Sequence, residues 1–190
     1  MLRIAIFASG NGSNAENIIR HFNFSDRGAQ VALVVSNRTD AGVLDRATRL
    51  GVPAQVLTRG DFNSPDHLLP MLQRYGIDFI VLAGFLMMIP EWLIKEYKHR
   101  IVNIHPSLLP KFGGKGMYGI NVHKAVVAAR ETQTGITVHY VSEQYDEGEI
   151  IFQASVPLRP SDTPEDVEKK IHQLEANHFP IAIEKIIAGL

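Results

Sequence analysis

The stretch Arg3 to Glu16 reads R-I-A-I-F-A-S-G-N-G-S-N-A-E, and it decides the fold class. Arg3–Ala8 is an apolar run of strand length that ends in glycines. Helical character begins near Ser13, where Ser13-Asn14-Ala15-Glu16 has the form of a capping box. A strand that turns on glycines into a helix opens a right-handed βαβ unit. The rhythm continues with a strand at Val31–Ser36, a helix at Ala41–Leu50 stopped by Gly51, and a brief strand at Ala54–Leu57. Ser64 and Pro65 then open a helix as N-cap and first residue, and Phe79–Ala83, Glu91–Tyr97 and Ile101–His105 read as strand, helix and strand. This alternation predicts an α/β, Rossmann-like fold whose mostly parallel sheet carries helices on both faces.

After Pro110 the pattern changes. Lys111 to Gly119, K-F-G-G-K-G-M-Y-G, holds four glycines in nine residues and reads as a loop. Asn121–Arg130 is helical, and Gly135–Val141 and Glu149–Val156 are strands close enough to form a hairpin, which makes the C-terminal part of the sheet antiparallel. Thr163-Pro164-Glu165-Asp166 begins the last helix with a cap, a first-turn proline and two acids at the positive end of its dipole. Residues 1–190 are expected to form a single domain.

Composition narrows the function. The formal net charge is −1 and no block of basic residues occurs, so the footprint of a nucleic-acid binder is missing. Cysteine is absent, which rules out disulfides and thiolate metal sites and suits a reducing cytoplasm. The N-terminal residues lack the build of a signal peptide, and no apolar run approaches the roughly 18 residues of a membrane span. The histidines show no metal-ligand spacing, so metal chemistry is not expected. The partners expected are small molecules.

Two short stretches carry chemistry. Ser9 to Asn14, S-G-N-G-S-N, joins a buried strand to a helix N-terminus, where free N–H groups and partial positive charge suit a phosphate. A third glycine and an acid after the second strand are both missing, which disfavours a dinucleotide. A side chain added at Gly12 is expected to crowd the anion or force a disfavoured φ. In Ile101 to Pro110, I-V-N-I-H-P-S-L-L-P, Asn103 and His105 lie two apart on a strand closed by Pro106, so they share a face. An amide N–H and an imidazole about 5–7 Å apart can grip one carbonyl oxygen as it becomes an oxyanion.

N-I-H-P-S-L-L-P resembles the signature of the folate-dependent formyltransferases. The first loop, V-L-A-G-F from Val81, G-I-T-V-H from Gly135 and D-E-G-E-I-I from Asp146 extend the resemblance in order along the chain. They point to the purine-pathway branch that formylates glycinamide ribonucleotide. The resemblance implies 10-formyltetrahydrofolate as co-substrate and Asn103, His105 and Asp146 as the catalytic residues. Asp146 would pair with His105 and hold it cationic, and His139 would support them. Gly12, Ser13 and Asn14 would hold the ribonucleotide phosphate, with Glu175 also on that substrate. Leu86, Met87, Met88 and Ile89 would line the folate slot together with Asn103. A basic residue often stands in the family where this chain has Met87, and the glycine-rich loop replaces a more histidine-rich one. A formyltetrahydrofolate hydrolase would use the same three catalytic side chains with water as acceptor.

Overall fold

The computed structural model describes residues 1–190. Its elements run β1 (Leu2–Phe7), α1 (Ser13–Asn23), β2 (Ala29–Ser36), α2 (Gly42–Arg49), β3 (Ala54–Val56), α3 (Arg59–Asn63), α4 (Pro65–Arg74), β4 (Phe79–Leu82), α5 (Glu91–Glu96), β5 (Ile101–His105), α6 (Ile120–Ala128), β6 (Gln133–Tyr140), β7 (Ile150–Pro157) and α7 (Pro164–Ala188). One sheet takes the order β3-β2-β1-β4-β5-β6-β7. Strands β1 to β5 pair in parallel, and β6 runs antiparallel to both β5 and β7. The expected mixed sheet is therefore present.

The central strands are apolar on both faces because both are covered. Ile4 and Ile6 of β1 pack with Ile18 of α1, Val43 of α2 and Phe179 of α7. Ala5 and Phe7, on the opposite face, pack with Phe62, Leu68 and Leu93 of α3, α4 and α5. Each fully buried large side chain contributes about 1.5–3 kcal/mol. No helix is long and apolar enough to cross a membrane.

Two local features differ from the sequence reading. The capping box at Ser13 does not form: Gly12, with φ of 82°, precedes α1, and no side chain caps the helix. Glu16 instead accepts from Arg20 and from Arg46, whose guanidinium also donates to the Asn11 carbonyl at 2.8 Å. Charge-assisted bonds of this kind outcompete a neutral cap. Helix α3 also lies in a stretch the sequence reading left unassigned, and its Thr58–Asp61 capping box is complete.

The strand order fixes where a ligand can sit. From β1 the chain moves outward to β2 and β3, then returns through α3 and α4 to place β4 on the other side of β1. The connections leaving β1 and β4 diverge there, which opens a crevice at the carboxyl ends of those strands. The loop Ala8–Gly12, the segment Ala83–Pro90 and the tip of β5 all meet at this end.

Candidate active site

A cavity of about 720 Å³ occupies the crevice. Its wall includes Gly12, Ser13, Asn14, Leu86, Met87, Met88, Ile89, Asn103, His105, His139, Asp146 and Glu175, so every residue singled out in the sequence reaches one space. The segments that supply them are distant in sequence and are joined only by the sheet.

At the centre, the register of β5 against β6 puts Asn103 opposite His139 and His105 opposite Thr137. His139 Nδ1 lies 2.8 Å from the Tyr140 carbonyl, so that nitrogen carries the ring proton and Nε2 is an acceptor. The Asn103 amide Nδ2 donates to this Nε2 at 3.2 Å. One Nδ2 hydrogen is thereby used to orient the amide, and the second is free to point elsewhere.

His105 is 4% exposed. Its Nε2 donates to the Phe112 carbonyl at 2.7 Å, and its Nδ1 faces Asp146 Oδ2 at 3.4 Å. Burial pushes the imidazole below its ordinary value, against the opposing influence of the Asp146 carboxylate and the Phe112 carbonyl. This corrects the expectation of a resting cation. The reason is desolvation, which penalises the charged ring more than one carboxylate at 3.4 Å restores. At neutral pH the ring rests with its proton on Nε2, and Nδ1 is a base.

Burial alone would raise Asp146, but the His139 and His105 rings and the Gly114 N–H hold its carboxyl below the usual range. The Gly114 N–H donates to Oδ2 at 2.9 Å. Asp146 and Phe112 both have left-handed backbone, with φ of 58° and 55°. Aspartate tolerates that region; phenylalanine does so at a cost, and the cost is met here at the residue whose carbonyl fixes His105. Gly148 completes the turn, since a Cβ there would fall 1.6 Å from the Tyr140 carbonyl oxygen.

On the same cavity wall, Asn14 Nδ2 donates to Glu175 Oε2 at 3.0 Å. Glu175 is buried, and burial raises its carboxyl above the ordinary value while the Asn14 amide opposes the rise. Two residues assigned separately from sequence thus form one polar unit. Of the two expectations for Gly12, the disfavoured φ is met, at 82°. A Cβ there would also lie 2.6 Å from Val43 Cβ and 2.7 Å from Val43 Cα, so a side chain crowds the protein's own core, which the sequence did not announce.

Leu86 and Met88 are half-exposed beside buried Ile89 and form an apolar lip. Ser9 links this lip to the glycine loop: its hydroxyl donates to Asn37 Oδ1 at 2.6 Å and accepts from the Leu86 N–H at 3.0 Å. Sequence reasoning missed three polar groups of this site. The Phe112 carbonyl and Gly114 N–H are backbone groups in a glycine-rich loop, which no residue type announces. His123, also on the cavity wall, is one of several scattered histidines in the sequence.

The comparisons place the chain in a family. A model of the formyl transferase family matches residues 2–183. The phosphoribosylglycinamide formyltransferase of Haemophilus influenzae is 35% identical, covering 100% of this chain and 89% of that protein. A chloroplastic phosphoribosylglycinamide formyltransferase of Arabidopsis thaliana is 41% identical over 89% of this chain, and the chain spans 60% of the length of that plant relative. The crystal structure of glycinamide ribonucleotide transformylase 1 from Symbiobacterium toebii superposes with a TM-score of 0.89 at 35% identity, covering 100% of this chain and 89% of that one. On these matches, spanning nearly its whole length, the chain belongs to the formyl transferase family, among the phosphoribosylglycinamide formyltransferases.

Proposed function

We propose that this protein transfers the formyl group of 10-formyltetrahydrofolate to the amine of glycinamide ribonucleotide, a step of purine biosynthesis. One observation carries the reading. The Asn103, His105 and Asp146 side chains line a single cavity together with the Gly12–Asn14 loop, Glu175 and the apolar lip at Leu86–Ile89. An anionic ribonucleotide suits the glycine loop and a flat folate ring the apolar lip. The cysteine-free chain suits a reducing cytoplasm, where we place the reaction.

In this reading the free Asn103 N–H donates to the formyl oxygen and strengthens its bond as the tetrahedral oxyanion forms. His105 Nδ1, neutral at rest, receives the proton released by the attacking amine. Asp146 stabilises the imidazolium so formed. The same proton then leaves with the tetrahydrofolate nitrogen as the carbon–nitrogen bond breaks, so His105 returns neutral. Gly12, Ser13 and Asn14 hold the phosphate, Glu175 contacts the ribonucleotide, and His139 keeps the Asn103 amide in its working orientation. No covalent intermediate with the protein is required, because the amine is itself the nucleophile.

Following tetrahydrofolate release with and without glycinamide ribonucleotide tests the reading. Transfer predicts release that depends on the acceptor and matches formylated product mole for mole. Release at the same rate without acceptor would mean that water is the acceptor and the protein is a hydrolase.

A further inference from the structure

His123 lies in the first turn of α6 and is 2% exposed. Its Nδ1 is sealed from solvent and has no hydrogen-bond partner. An orphaned buried N–H is rare and costly, and a ring nitrogen left as a lone pair is the cheaper arrangement. Burial also holds the imidazole below its ordinary value, against the attraction of Glu168. The ring is therefore neutral near pH 7, with its single proton on Nε2. His123 forms part of the cavity wall, so the N–H is available on the side that a ligand occupies. Ile171, His172 and Glu175 of α7 share that wall with the Gly10–Asn14 loop and His105. Glu175 accepts hydrogen bonds there; a fixed neutral donor is its complement.

We infer that His123 is a binding residue for the acceptor substrate, its Nε2–H donating to an oxygen of the sugar or amide that lies between the phosphate and the reacting amine. This rests on the proposed function, which places an elongated ribonucleotide between the glycine loop and His105. The bond would explain why a polar ring is kept in a wall where an apolar residue would leave no unpaired nitrogen.

Steady-state kinetics of three proteins test it. The wild type must first show acceptor-dependent transfer; if it does not, the functional reading itself fails. Given that activity, His123→Leu should raise KM for glycinamide ribonucleotide about tenfold. It should leave KM for 10-formyltetrahydrofolate unchanged and keep or raise Tm, since the sealed nitrogen is gone. His123→Gln, which restores an N–H donor, should recover most of the loss. Nitrogen-15 NMR of the wild type gives an independent answer: Nε2 protonated, Nδ1 not, and the Nε2 resonance shifting when acceptor is added but not with folate alone. An unchanged acceptor KM in folded His123→Leu, or a proton on Nδ1, would overturn the inference.

Discussion

Asn103 and His139 face each other across β5 and β6, and the amide of Asn103 donates to His139 Nε2 at 3.2 Å. In the proposed function the pair makes His139 a positioning residue. Its ring, fixed by the Tyr140 carbonyl, aims one Asn103 hydrogen, and the proposal gives the other to the formyl oxygen. Asn103→Ala should lower kcat by about 10²–10³, as for loss of an oxyanion donor, with little change in KM. His139→Leu should lower kcat by less, and the double variant should be no worse than Asn103→Ala alone. Steady-state kinetics of the three variants check this; additive losses would mean that the two side chains act independently.

The proposed role of His105 as a base predicts how activity depends on pH. Burial lowers its value, so kcat/KM should rise with pH through a point below 6.5, the ordinary histidine value, and then level off. Asp146 opposes that lowering, and Asp146→Asn removes the opposition. The rising limb should therefore move to lower pH in Asp146→Asn, while the plateau falls because the imidazolium loses its counter-charge. A limb that moves to higher pH would contradict the assignment.

Stability should respond to pH with a sign set by the same burial. His105 and His123 both have folded-state values below the unfolded one. Between those values the unfolded chain binds more protons, so stability is lost as pH falls through 6.5 toward the folded values. Asp146 is depressed too, and its contribution is present above 3.8 and lost as pH falls through its folded value. Urea unfolding at pH 7.5 and pH 5.5 should show the loss, and His123→Leu should make it smaller.

The Asn14–Glu175 pair predicts a loss with a different pH dependence. Asn14→Ala leaves a buried carboxyl without its donor, at a cost of about 1–3 kcal/mol. The folded-state value of Glu175 is raised, so stability is lost as pH rises from 4.5 to that value. Removing the amide widens that window, and the fall in Tm should be larger at pH 7 than at pH 4. Acceptor KM should rise in the same variant.

Much of this was legible in the sequence because buried parallel strands write themselves as continuous apolar runs: Phe79–Ala83 and Val31–Ser36 needed no partner to be recognised. Asn103 and His105 were legible because strand alternation puts both on one face. What was hidden depends on partners distant in the chain. Arg46 takes Glu16 away from the expected cap, Val43 fills the space above Gly12, and Asn14 buries Glu175, which on its own helix reads as a surface acid. The charge of His105 was hidden for the same reason. The sequence offers the carboxylate of Asp146, but the desolvation that outweighs it comes from the assembled fold.

Gly12 gives a prediction that needs no ligand. Gly12→Ala must adopt φ near 82° and push against Val43, so Tm should fall by several degrees in the free protein. Thermal unfolding in plain buffer checks it, and an unchanged Tm would mean that the loop yields without the core.

The protonation of His105 is the point on which the mechanism turns, and one titration reads it. Nitrogen-15 NMR of the free protein should show Nε2 protonated and Nδ1 unprotonated at pH 7, with a pKa below 6.5 that falls further in Asp146→Asn. A doubly protonated ring at pH 7, or a pKa unmoved by Asp146→Asn, would contradict the account.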